Sequence, residues 1–284
     1  MKTILSILII CLGLSFTANA NPCQITPVRL TCEMMESPNC VDVPDPVLSW
    51  INDPVNAEIK GAGQSAYRIR VASSREKLAK ADLWDTKKVN SDESVFIPYQ
   101  GKSLSSGCEI WWQVKVWDNK GKASEWSKPA CWRTGIMNHD EWCAQWIGAP
   151  WQGEWEDKNT TPAPYFSKDI KLDKKVKSAV AFVTGLGYFE FYVNKKKIGD
   201  EVLVPNFTNY TKRPDLPKLS IAIEDNFRDY RVMYLTYDIT SELQQGANNL
   251  GMYVGNGWYN THTRRWPASF GTPRMLCQIK VTYN

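Results

Sequence analysis

Histidine is scarce in this chain: two in 284 residues, His139 and His262. That argues against a His-ligated metal centre, and against a Ser-His or Cys-His nucleophilic site, before any motif is read. None of the 8 cysteines stands in a C-x-x-C pair, so no zinc site is signalled. Gly185-x-Gly187 lacks the third glycine of a nucleotide fingerprint, and no helical pattern follows it. An EF-hand-like Asp-x-Asp-x-Asp cluster is missing, as are internal repeats and any convincing helix. Charge of one sign is not in excess: 34 basic against 30 acidic residues leave +4, mixed throughout, which makes no electrostatic case for nucleic acid. The short basic run Lys195-Lys196-Lys197 reads as a solvated hairpin tip. What the chain does hold is 13 Trp, 12 Tyr and 9 Phe, with 43% hydrophobic and 23% charged residues. That composition buries a core, and it excludes disordered, collagen-like and coiled-coil chains. The length suits two domains of ordinary size.

Apolar runs of spanning length are also missing. The longest, Ile4 to Phe16, has 13 residues, short of the roughly 20 a bilayer needs. Preceded by Lys2 and followed by Ala18-Asn19-Ala20, it reads as a secretory signal peptide over residues 1–20 with cleavage after Ala20. The expectation is an exported protein, periplasmic or extracellular, with no membrane span. Cleavage also removes Cys11 and leaves seven cysteines. An odd number in an oxidising compartment implies one or two disulfides plus leftover thiols, and Cys23, Cys32 and Cys40 lie close enough in sequence to staple the N-terminal segment.

From about residue 27 to 134 the pattern is β. In Ala66-Tyr67-Arg68-Ile69-Arg70-Val71-Ala72 the apolar side chains Tyr67, Ile69 and Val71 share one face and the two arginines the other. Ile110, Trp112, Val114 and Val116 alternate in the same way. Asp118-Asn119-Lys120-Gly121 is a turn, and Ser124-Glu125-Trp126-Ser127 opens the next strand region. Residues 76–84 predict a short helical turn with Leu78, Ala79 and Leu83 on its apolar side. A hundred residues of short strands suggest an immunoglobulin-type sandwich over residues 21–134. Residues 135–145 change texture and read as a linker, and a second β region occupies residues 146–284. Within it residues 150–164 read as an extended loop, residues 179–193 are a long apolar stretch broken by Gly185 and Gly187, and residues 275–283 are a closing strand.

An ordered set of short motifs then resembles one family, the bacterial alpha-L-rhamnosidases. In the first region these are Pro46-Val47-Leu48-Ser49-Trp50, Gln64-Ser65-Ala66-Tyr67-Arg68-Ile69, Ala72-Ser73-Ser74, Asp82-Leu83-Trp84-Asp85 and Val116-Trp117-Asp118-Asn119 through Trp126-Ser127. In the second they are Thr184-Gly185-Leu186-Gly187-Tyr188-Phe189-Glu190, Tyr192-Val193-Asn194, Lys212-Arg213, Tyr237-Asp238-Ile239-Thr240 and Gly255-Asn256-Gly257-Trp258-Tyr259. The resemblance implies an all-β chain: a fibronectin type III-like sandwich followed by a galactose-binding-like jelly roll, the N-terminal part of such an enzyme. Three departures stand out. Asn194-Lys195 replaces the Asn-Gly that suits a type I′ hairpin turn. Residues 214–231 look like an inserted loop. The chain stops at Asn284, where relatives continue with more strands and an (α/α)₆ barrel carrying the paired acids that invert the anomeric centre.

Hydrolysis of a glycosidic bond needs two flanking carboxylates. Glu190, between Tyr188 and Tyr192, is either a carboxyl raised by burial or a glutamate on a solvent face, and nothing marks a partner for it. No activity is expected from this polypeptide alone. Carbohydrate binding is what remains. Flat rings take the apolar face of a sugar, while Asn and Arg take its hydroxyls, and both kinds meet at Asn256, Trp258 and Tyr259, with Tyr188, Arg264 and Trp266 as further candidates near His262 and Arg265. The structural alternative is that Trp258 fills the core and the glycines form a bulge. No cofactor is expected, except that related jelly-roll modules often carry calcium, for which Asn206, Asn209 and Asp215 are scattered oxygen donors. The expected partners are a rhamnose-containing glycan and the barrel of full-length relatives, with no nucleic acid. Two readings stay open: a fragment, favoured by an ending inside a strand, and a stand-alone sugar-binding or scaffold module.

Overall fold

The computed structural model describes residues 22–149, 162–208, 210, 231–260 and 270–284. The signal peptide, most of the 150–164 loop and all of the expected insertion but Arg231 lie outside the described residues.

The first half is a two-sheet sandwich. One sheet runs β1 (Ile25–Cys32), β2 (Val47–Pro54), β5 (Ile97–Pro98). The other runs β4 (Trp84–Asp85), β3 (Gln64–Ala72), β6 (Glu109–Asp118), β7 (Ala130–Arg133). The alternation expected in β3 and β6 is observed, with Ile69, Val71, Trp112, Val114 and Val116 buried against Leu48 and Trp50 of the opposite sheet. Trp50 meets Tyr67 edge-on at 5.3 Å and donates its indole N–H to Gln64 Oε1 at 3.0 Å, so this large ring is buried with its polar atom satisfied. At the turn after β6, Gly121 takes φ +74 and its N–H donates to the Asp118 carbonyl. Residues 124–127 are not a strand, but Ser124 and Ser127 donate their backbone N–H to Val116 and Val114 and so seal the β6 edge. The helical turn expected at 76–84 is a 3₁₀ turn, Arg75–Lys77, with Leu78 buried and Ala79 exposed.

All seven described cysteines are free thiols, so the expected staple is not made. The reason is that β1, though bulged between Val28 and Thr31, stays extended along β2. Cys23 and Cys32 lie at opposite ends of the β1 segment, nine residues or about 30 Å apart at 3.3 Å per residue. Cys40 faces Tyr234 and Gly135 instead.

The second half is again two sheets. One runs β13 (Leu235–Asp238), β10 (Val176–Leu186), β15 (Arg274–Tyr283), β8 (Ile147–Gly148). The other runs β12 (Lys196–Ile198), β11 (Tyr188–Val193), β14 (Gly246–Gly255), β9 (Tyr165–Leu172). Phe189, Phe191, Met252 and Val254 pack inward against Ala179, Ala181 and Val183. β10 is apolar from Ala179 to Val183 because both its faces are covered there. Its back presents Val180 and Phe182 to Ile136, Trp142 and Tyr234 at the junction with the first sandwich.

That junction is tightly tied. The Tyr234 hydroxyl accepts the Ile136 N–H at 2.8 Å and donates to Asp42 at 3.3 Å, and burial pushes its phenol far up. Arg133 pairs with Asp238 at 2.7 Å, and Lys280 donates to the Ser106 carbonyl at 2.7 Å. Cys143 and Ala144 both donate backbone N–H to Gln278 Oε1. The residues read as a linker are therefore hydrogen-bonded to the second sandwich.

The hairpin between β11 and β12 keeps its two-residue turn without glycine. Val193 pairs with Lys196, and Asn194 and Lys195 take φ of +50 and +69. That is the type I′ pattern. Asn194 tolerates it because its side chain donates to Glu242 O and Asn248 Oδ1 and accepts the Asn249 N–H. Lys195 is exposed and has no such compensation; a left-handed backbone costs an L-residue about 1–2 kcal/mol. Lys195→Gly is therefore expected to stabilise the chain by about 1 kcal/mol, read as a higher urea midpoint at unchanged slope. An unchanged or lower midpoint would count against this strain.

At the β15 and β9 edges the second sandwich opens. Beyond Met275 the outer edge of β15 has no partner strand among the described residues, and β9 borders the facing sheet. Between these edges lies an apolar cleft of about 540 Å³, lined among others by Phe166, Ile170, Leu250, Met275 and Cys277. Burial raises the Cys277 thiol to about 12.

Candidate functional site

Two glycine-containing motifs meet at one point of the second sandwich. The turn from β10 into β11 carries Gly187-Tyr188, and the end of β14 carries Gly255-Asn256-Gly257. Tyr188 and Gly255 are register partners. Gly187 sits at φ +117, where a Cβ would lie 2.0 Å from the Gly255 carbonyl oxygen. Gly257 sits at φ +50, where a Cβ would lie 3.1 Å from both the Tyr188 backbone nitrogen and its ring. Only glycine lets these backbones touch, and the contact fixes how the chain leaves β14.

The exit decides which of two neighbouring aromatics goes inside. Tyr259 does: it is 7% exposed, donates its hydroxyl to the Phe270 carbonyl at 3.1 Å, and accepts the Phe270 N–H at its own carbonyl. Tyr210 packs edge-on against it at 5.1 Å, and burial pushes both phenols up. Trp258 faces the other way and is 53% exposed, so the core place is held by Tyr259 and not by Trp258. Beside Trp258 stands Phe207, also 53% exposed, at 6.5 Å in an edge-to-face arrangement. Below them Asn260 is buried and donates to the Asn256 side chain at 3.0 Å. The result is an exposed aromatic pair on a rigid base, with half-buried Tyr188 and Asn256 at its margin.

Of the residues expected at this site, Tyr188, Asn256, Trp258 and Tyr259 are brought together, with Tyr259 as support beneath the surface. Arg264 and Trp266, with His262 and Arg265, lie outside the described residues. Phe207, Tyr210, Asn260 and Phe270 were not anticipated. They come from segments without periodicity, and only the chain topology brings them here. Of the calcium donors, Asn206 is exposed, while Asn209 and Asp215 lie outside the described residues; among the described residues no group of three His, Cys, Asp or Glu could hold a metal ion.

Glu190 is the solvent-face glutamate. It accepts from Lys197 Nζ at 2.8 Å and from the Tyr192 hydroxyl at 2.7 Å, and the lysine contact first, then the tyrosine, lowers its carboxyl. A carboxyl held ionised in this way is not poised as a general acid.

The described residues form two β-sandwiches in tandem, with solvent-facing rings beside a glycine-shaped turn of the second, and the comparisons give the class. Residues 27–138 match the domain described as the Rha78A-like N-terminal immunoglobulin domain, and residues 174–284 match the alpha-L-rhamnosidase N-terminal domain. The chain belongs to the alpha-L-rhamnosidase family and corresponds to its N-terminal region. An alpha-L-rhamnosidase of Formosa agariphila is 34% identical over 278 residues, covering 87% of this chain and 26% of that protein. One from Alteromonas sp. is 31% identical, covering 84% and 25%. The solved alpha-L-rhamnosidase from Dictyoglumus thermophilum superposes with a TM-score of 0.75 at 32% identity, covering 93% of this chain and 28% of that one. The chain thus spans about a quarter of the length of these relatives.

Proposed function

We propose that this chain is an exported, non-catalytic portion of an alpha-L-rhamnosidase-type glycoside hydrolase, and that it holds a rhamnose-containing glycan through Trp258 and Phe207. The parent reaction is hydrolysis of terminal alpha-L-rhamnose, with its two carboxylates in the part of the relatives beyond the matched quarter. The exposed Trp258–Phe207 pair carries the reading. An indole half open to water, set edge-to-face against Phe207, presents a flat apolar face. A sugar stacks its C–H face there and meets Asn256 at the rim.

Titration of the purified chain with methyl alpha-L-rhamnoside, followed by tryptophan fluorescence and calorimetry, tests this. Wild type is expected to bind and Trp258→Ala to lose on the order of tenfold or more in affinity, the scale of losing an aromatic anchor. Because Trp258 is exposed, its loss should move unfolding by no more than about 0.5 kcal/mol. Equal binding by the variant, or no binding by the wild type, overturns the reading.

A further inference from the structure

The outer face of the first sandwich concentrates cations on tryptophan. Arg70 of β3 lies 4.4 Å from the Trp126 ring centre, Lys115 of β6 lies 5.3 Å away, and Arg68 of β3 lies 5.9 Å away. Farther along, Arg75 stands over Trp111 at 5.7 Å and Lys88 over Trp117 at 4.8 Å. Arg68 and Lys115 are register partners, like charges set directly opposite across two strands, an arrangement that is destabilising by itself.

Neutralisation from within the chain is incomplete. Asp85 takes Arg68 at 2.7 Å and Lys87 at 3.0 Å, and Glu109 takes Arg133 at 3.7 Å. Arg70, Arg75, Lys88 and Lys115 have no carboxylate partner among the described residues. The Arg70 Nε is buried and makes no hydrogen bond. These four cations lie on one face of the sheet, each over a tryptophan. The face is long: from Trp111 to Trp117 along β6 is about 20 Å at 3.4 Å per residue. Cations and flat rings along such a strip fit a linear ligand that carries both anionic groups and apolar ring faces.

We propose that this face is a docking surface for a linear acidic polysaccharide, one bearing sulfate or carboxylate groups along its chain. The choice of a glycan among polyanions rests on the proposed glycan-directed function; the surface itself is on the other sandwich and shares no residue with Trp258. Anionic groups sit against Arg70, Lys115 and Lys88, while pyranose rings lie along the tryptophans. Charge supplies most of the attraction, so binding falls as salt rises.

The test is calorimetry of the chain with dextran sulfate, oligogalacturonate, neutral dextran and a DNA duplex of matched charge. Binding of either acidic glycan, weakened by salt, with neutral dextran silent and DNA weaker, is the expected result; whichever acidic glycan binds names the anionic group. Arg70→Gln with Lys115→Gln should cut that affinity about tenfold or more. Lys88→Gln, at the far end of the strip, should cut it severalfold and serves if the double variant does not fold. Trp258→Ala should leave acidic-glycan binding intact, and Arg70→Gln/Lys115→Gln should leave rhamnoside binding intact, so the two sites fail separately. DNA bound as tightly as glycan, equal binding of neutral dextran, unchanged affinity in the variants, or no binding at all overturns the proposal.

Discussion

Gly187→Ala is expected to unfold the second sandwich at a temperature roughly 10 °C lower than wild type, a loss of about 3–5 kcal/mol. Two effects add. At φ +117 any side chain strains the backbone, at about 1–3 kcal/mol. The new methyl would also stand 2.0 Å from the Gly255 carbonyl oxygen, a backbone atom that moves only if β11 and β14 part. Such overpacking typically costs about 1–3 kcal/mol more. Gly255→Ala is the control, because its Cβ meets nothing closer than the Tyr188 carbonyl at 3.8 Å. Thermal unfolding by circular dichroism separates them. A shift in Gly187→Ala no larger than in Gly255→Ala would mean that the turn relaxes freely.

Asp118→Ala is expected to cost the first sandwich about 3–5 kcal/mol, with the loss fading in acid. Asp118 is fully buried at the end of β6. Its carboxylate accepts the backbone N–H of Gln24 at 3.0 Å, of Lys120 at 2.9 Å and of Lys122 at 2.8 Å. It thus ties the N-terminal segment to the turn and satisfies three donors at once. Burial pushes the carboxyl upward, but the three amide contacts outweigh it and hold it below the ordinary range. A folded value below the unfolded one stabilises the protein fully above about pH 4, and that contribution shrinks as pH falls toward the folded value. Urea unfolding of wild type and variant at pH 7 and pH 3 should therefore show a smaller difference at pH 3. An equal difference at both would mean that shape, not charge, explains the effect. Asp118→Asn keeps an acceptor oxygen and should lose about half as much.

The legible parts of this fold were those with one wet face. β3 and β6 alternate because the Arg68–Arg70 row is outside and the Ile69–Val71 row inside. β10 shows only an apolar run from Ala179 to Val183, since both its faces are covered there, and Ile136, Trp142 and Tyr234, which cover its back, sit in segments without pattern. At the candidate site the motif was visible, but adjacent Trp258 and Tyr259 can be swapped on paper, and it takes the contact of Gly187 with Gly255 to turn one in and the other out. Phe207 and Tyr210 were invisible because a loop has no period. The disulfide expectation failed on geometry: counting residues says nothing about whether the chain between two cysteines runs straight. The Asn194-Lys195 turn shows the reverse case, where the family's geometry survives the loss of its glycine.

β10 is a party wall. Ala179, Ala181 and Val183 belong to one core, and Val180 and Phe182, one residue out of phase, belong to the seam beyond it. When the second sandwich melts, the wall goes with it, and Ile136 and Trp142 lose the surface they lean on. The first sandwich then faces water where it faced Phe182, and Arg133 loses Asp238. Heat that melts the second sandwich therefore also strips the first of part of its cover.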